Sequence, residues 1–177
     1  MDNQNPFALP IEKLRAEIQK KTPVLLVNMG AIAIDFAIEN FQKQGWQGDT
    51  FVPWEARKSK DKKDIGRQIL VKTGHLRNAT KYTVLTDAVR ISNNMPYAAI
   101  HNNGGTINHP GGGRVLAFNK KGKFTKQNTP AQLSKVNRIA LADIGAHNIS
   151  MPQREFIGYS PVLTHRIVNM IKTELLK

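Results

Sequence analysis

Between Thr22 and Gln44 the chain carries its longest unbroken helical pattern, and Gly45 closes it. Leu25, Met29, Ile32, Phe36 and the stretch Ile38–Phe41 are apolar, while Ala31, Ala33 and Ala37 are small. At about 1.5 Å per residue this segment is a rod of roughly 33 Å. Its apolar girdle is wider than one stripe, so it needs cover on more than one side. Either its own sheet and a neighbouring subunit share that cover, or the helix lies at the centre of a monomer's core. Thr22 can cap it, and Pro23 suits its first turn, where no N–H is needed. Upstream, Ile11, Leu14 and Ile18 recur at helical spacing between charged residues, which predicts a separate amphipathic helix over 10–21. A chain of 177 residues has material for one well-buried core and not for two.

The segment Gly45–Trp54 cannot be helical, and it brings Trp46, Phe51 and Trp54 close together. Such aromatics are core plugs first and interface residues second. Arg57–Asp64 has no apolar side chain, which predicts a mobile loop. Ile69–Val71 leads to a turn and a brief helix around Thr73–Arg77. Lys81–Leu85 and Ala88–Ser92 alternate around Thr86-Asp87 and predict a β-hairpin. Over Met95–Gly105, Pro96 opens a short helix with Tyr97 and His101, and Asn102-Asn103-Gly104-Gly105 stops it. Ile107–Phe118 reads as a strand interrupted at Pro110–Gly113, with a hairpin tip at Lys120–Lys123 and Phe124 beginning the return. Gln127–Ile149, with Leu133, Val136, Ile139, Ala140 and Ile144, fits a weak helix in an arm or insertion. After an extended Met151–Ser160, Ser160 caps and Pro161 opens a terminal amphipathic helix.

Charge and composition narrow the function classes. The formal net charge is +13, from 26 basic and 13 acidic residues. Two segments hold the excess. Arg57–Lys81 has nine basic residues against Asp61 and Asp64, and Gly112–Arg138 has seven and no acid. Patches of this kind either touch a polyanion or an acidic protein surface, or simply keep loops solvated. The contact candidates are Arg57, Lys58, Lys60, Lys62 and Lys63 in the first, and Arg114, Lys120, Lys121 and Lys123 in the second. The absence of cysteine removes disulfides, thiolate catalysis and cysteine zinc sites. The N-terminus lacks a signal-peptide pattern, and no apolar run approaches the roughly 20 residues of a membrane span. The expected place is the cytoplasm, or an assembly built there.

Chemistry finds little to work with. His75, His101, His109, His147 and His165 show no partner at the one-turn spacing of a metal site. Asp35 and Glu39 lie one turn apart on the long helix with no histidine or basic partner nearby, which leaves paired-carboxylate catalysis unsupported. Gly111-Gly112-Gly113-Arg114 lacks the Gly-Lys-Ser/Thr ending and following helix of a phosphate loop, and reads as a hairpin shoulder. Ser160 stands between Tyr159 and Pro161, so there is no nucleophile elbow. No catalytic residue, metal ligand or cofactor is expected. A nucleic-acid binder has the charge but no recognisable module, so only nonspecific backbone contact stays open.

A string of short signatures says more than any one of them. In order they are Phe41-x-x-Gln44-x-Trp46, Trp54-x-x-Arg57, Leu70-x-x-Thr73-Gly74-x-Leu76-Arg77 and Pro96-Tyr97-Ala98-x-x-His101-x-x-Gly104-Gly105. Met151-Pro152-x-Arg154-x-Phe156-Ile157-Gly158-x-Ser160 and the final helix complete the series. Over residues 22–177 the chain resembles the virion morphogenesis, or tail completion, family of tailed bacteriophages of the Mu-like and P2-like kind.

The resemblance implies a structural protein of the phage neck that completes the tail or the head–tail junction, with no catalysis and no cofactor. It would be assembled in the host cytoplasm and reside in the virion neck or tail. Its partners would be other neck and tail proteins (connector, tail terminator or tail tube) and copies of itself in a ring such as a hexamer, with no membrane. From their charge alone, the basic segments leave a contact to DNA or to an acidic partner open. Trp46, Trp54, Tyr97, His101, Gly104, Gly105, Arg154 and Phe156 would be fold or interface residues. The expected fold is α+β: a small antiparallel sheet packed on a long N-terminal helix and a C-terminal helix, with an extended basic hairpin or arm. Residues 1–177 form one domain, with a core over 22–106 and 150–177 and an arm over 107–149. The basic, glycine-rich stretch Gly111–Ile149 is longer than the family leads one to expect, and its role does not carry over. The alternative function is a nonspecific nucleic-acid-binding protein.

Overall fold

A single helix, α1 (Ala8–Lys43), runs where two were expected, with Pro23 in its interior. The proline removes one backbone donor, yet Thr22 starts no new helix. Its hydroxyl turns back instead and donates to the Ile18 carbonyl at 2.7 Å, a bond that competes with capping. The computed structural model describes residues 8–57, 66–121 and 138–176. Two compact units divide the chain: Met1–Gly104 with Pro152–Lys177, and Gly105–Met151. The fold class is α+β, although the expected small sheet is four separate two-stranded antiparallel ladders.

In the first unit, α1 buries Leu25, Leu26, Ala33, Phe36, Ala37, Asn40 and Phe41, and leaves Val24 and Val27 exposed. Thr22 to Ile34 carries no charge. For that reason Ile11–Lys43 is long and apolar enough to cross a membrane by length and composition alone, which corrects the expectation that no such run exists. Here its buried face is core. Gln44, at φ 57°, reverses the chain into β1 (Gly45–Gln47) and β2 (Phe51–Pro53), which pair with Trp46 opposite Val52. The short helix α2 (His75–Asn78) precedes β3 (Thr80–Val84) and β4 (Val89–Asn93). That hairpin keeps the expected register, from Thr80 opposite Asn93 to Val84 opposite Val89. Leu85 N–H donates to the Ala88 carbonyl at 2.8 Å and closes the two-residue turn. The Tyr82 ring lies over Gly30 and leaves no room for a side chain there. After α3 (Ala98–Asn103), the chain leaves this unit and returns at Pro152.

The last helix, α4 (Pro161–Leu175), starts as its sequence demands. Ser160 Oγ accepts from Leu163 N–H at 3.3 Å, and Pro161 occupies the first turn. Arg166 of α4 then grips Glu39 of α1 through two nitrogens, at 2.7 and 3.0 Å, and Lys43 adds a bond at 3.1 Å. Glu39 is therefore well partnered, against the expectation. Lys43 lies one turn away and was legible in the sequence, whereas Arg166 is brought in by the tertiary fold. The Arg166 hydrogen bonds hold the Glu39 carboxyl at about 2, below its ordinary 4.5, against the opposing effect of burial. A carboxyl lowered in the folded state contributes stability in full above its unfolded value, and loses it as pH falls through the folded one. Glu39→Gln should therefore lower stability by about 1–2 kcal/mol at pH 7, since the pair is a third exposed. The difference from wild type should vanish between pH 4.5 and about 2, as urea titrations across that range would show.

The second unit contains the other two ladders. β5 (Gly105–His109) pairs with β8 (His147–Met151), from Gly105 opposite Met151 to His109 opposite His147. β6 (Gly112–Phe118) pairs with β7 (Arg138–Ile144), from Gly112 opposite Ile144 to Phe118 opposite Arg138. Among the described residues the return strand is Arg138–Ile144; Phe124, where the return was expected to begin, lies outside them. Ile139–Ile144 and Ile149 are strand, where a weak helix was expected. β-Branched residues fit a pleated ladder, and the partner that selects it is distant in sequence. Gly111, at φ 82°, stands where a side chain would meet the Ile144 carbonyl and the Ala146 amide.

Candidate assembly interface

Five signature residues of the first unit converge in its interior. Phe41, Trp54, Leu76, Ala98 and Phe156 form one buried cluster. The Phe41 ring meets Trp54 edge-on at 5.4 Å and Phe156 at 5.0 Å. Trp54 Nε1–H donates to the Glu155 carbonyl at 3.0 Å, a polar outlet that a buried indole requires. Arg154 is buried, and its Nε and Nη2 both donate to the Glu55 carbonyl, at 3.2 and 3.0 Å. Its backbone N–H donates to the His101 carbonyl at 2.8 Å. The Asn102 side chain accepts from the amides of Phe156 and Ile157, both at 3.0 Å, and donates to the Ile157 carbonyl at 2.9 Å. Gln44 does a similar job. Its Nε2 donates to the carbonyls of Phe41 at 2.6 Å and Ile69 at 3.2 Å, and its Oε1 accepts from Ile69 N–H.

Each aromatic and glycine candidate has a definite place. Trp46 is buried edge-on against Phe36 at 5.5 Å, and Trp54 is in the cluster above. Tyr97 is exposed and meets His101 edge-on at 5.9 Å. His101 is half-buried, and its Nδ1 has no hydrogen-bond partner among the described residues. Burial, then the nearby Arg154 charge, push the His101 pKa below its ordinary value. Gly104 and Gly105 take φ of 69° and 136° at the exit to the second unit. Gln44 is named in the signatures, whereas Asn102 falls on an unspecified position of its string and reads there only as a turn residue; the bonding roles of both depend on long-range partners.

The basic candidates divide. Arg57 is half-buried and donates to the Gln68 carbonyl at 2.8 Å. Lys120 and Lys121 are exposed at the turn after β6, where Lys121 N–H donates to Asn119 Oδ1 at 2.9 Å. Arg114 occupies β6 opposite Ala142. Lys58, Lys60, Lys62, Lys63 and Lys123, and the loop expected around the first four, lie outside the described residues. In the second unit His109 and His147 stack across the β5–β8 ladder at 4.8 Å and 20°. Separate strands bring this pair together, so sequence spacing could not show it. His109 Nδ1 accepts from Gly111 N–H at 3.1 Å. Among the described residues no three acidic or histidine side chains converge on a metal position.

The arrangement is that of a protein whose signature residues hold its interior together, with charge and exposed apolar side chains left for contact. The profile of the phage virion morphogenesis family matches residues 2–176. No curated protein and no solved structure matches the chain significantly. A match over nearly the whole length shows that the chain belongs to the phage virion morphogenesis family and has a role in virion assembly.

Proposed function

We propose that the protein is a structural component of the phage neck that completes the tail or its junction with the head. It would act as one subunit of a closed ring, alongside a connector, tail terminator or tail tube. The observation that carries this reading is the β5–β8 ladder. Its ten residues carry no acidic or basic group other than His109 and His147. All but Met151 are exposed, including the cross-strand pair Ile107 and Ile149, at 41% and 39%. Two strands open on both faces are marginal by themselves, and apolar area without charge is the make-up of an interface core. A ring repeats one heterologous contact by rotation, and such a ladder can serve as one half of it. The test is Ile107→Asp with Ile149→Asp, supplied to a phage lacking the wild-type gene. The variant should fold with unchanged helicity, weaken the contact between copies or neck proteins by about 30-fold, and be missing from particles. Infectious virions at wild-type yield would overturn the reading.

A further inference from the structure

We propose that β6–β7 and the turn Asn119–Lys121 lie along double-stranded DNA and hold its phosphates without reading sequence. This goes beyond the neck reading and requires only that the protein works in a virion, where the genome is the abundant polyanion. Charge is segregated within the second unit. The β5–β8 ladder has no lysine or arginine, while Gly112–Arg138 carries seven and no acid. Asp143 stands at the far end of β7, opposite Gly113. At the other end Lys120 and Lys121 are exposed, and Arg138 is exposed with its guanidinium over the Phe118 ring at 5.1 Å. That stacking presents the cation in a fixed place.

Shape fits the same ligand. Seven residues per strand make a ribbon roughly 23 Å long, and a two-stranded ribbon is admitted by a major groove about 12 Å wide. An acidic protein would be matched by charges of both signs at fixed points. Apart from Asp143 at its far end, the charged residues of the ribbon and its described turn, Arg114, Lys120, Lys121 and Arg138, are all cationic, which suits the regular phosphates of a duplex.

The test is fluorescence anisotropy of a 30-base-pair duplex with the full chain, from 50 to 200 mM salt. Lys120→Gln with Lys121→Gln should weaken binding about tenfold at the lowest salt. It should also flatten the slope of log affinity against log salt by about 1.8, at ~0.9 per phosphate contact. An unchanged slope, or no binding by wild type at 50 mM, would overturn the proposal. So would tighter binding to polyglutamate than to the duplex, which would point to an acidic protein instead. Incorporation of the variant into particles is scored separately and bears only on the neck reading.

Discussion

Phe156→Ala should lower the unfolding free energy by about 3–5 kcal/mol, toward the upper end of that range. The side chain is 1% exposed and packs on Phe41 within the aromatic cluster. What decides the position in the range is whether the site can collapse. Here it cannot collapse easily. The amides of Phe156 and Ile157 are fixed to Asn102, and the Glu155 carbonyl is fixed to Trp54. A small cavity of about 30 Å³ already lies beside the ring, lined by Phe36, Ala37, Ile91 and Leu163 among others, so truncation enlarges an existing void. Phe156→Leu should cost less, about 1–1.5 kcal/mol. Urea unfolding should show the midpoint falling at constant slope. A loss below 1 kcal/mol for the alanine variant would mean that the signature cluster is not the centre of the fold.

What was legible in the sequence is what short range decides. Ser160-Pro161 starts α4 and the alternation around Thr86-Asp87 makes a hairpin, each through contacts a few residues apart. The long helix stops at Lys43, close to where expected, but Gln44 rather than Gly45 takes the left-handed turn. Misreadings arose where a distant partner overrides the local preference. Pro23 is the exception: it looks like a helix start, yet α1 runs through it although Pro23 and Val24 are exposed and burial beyond them begins only at Leu25. Ile139 to Ile144 fits either a weak helix or a strand, and β6 decides for strand. Glu39 looks unpartnered beyond its own helix until Arg166 arrives from 127 residues away. The candidate site follows the same rule. The family string contains Trp54, Arg154 and Phe156, but does not show that Trp54 and Phe156 share one buried cluster or that Arg154 donates to the Glu55 carbonyl. The exposed surface was less legible still, because an interface is selected for its partner and leaves no local pattern in its own chain.

That contrast explains why Asn102 deserves the second substitution. In sequence it is one of four turn residues that stop α3, yet its side chain makes three of the bonds that hold the returning segment. With the Arg154 N–H to His101 carbonyl bond, it ties the end of α3, where the chain leaves the first unit, to Phe156 and Ile157 just after it returns. Asn102→Ala strips an acceptor from two amides and a donor from one carbonyl. A polar group left unpaired on partial burial costs about 1–3 kcal/mol. Since the three losses share one site and relax together, the expected total is about 2–4 kcal/mol. Asn102→Asp keeps the acceptor and loses only the donor, so it should cost roughly half as much. Hydrogen exchange separates this from a general loss of stability: in the alanine variant the Phe156 and Ile157 amides should exchange faster than the β3–β4 amides do. If all amides accelerate together, Asn102 is one core contact among many. If those two accelerate first, it is the clasp that closes the first unit where the chain leaves it and returns.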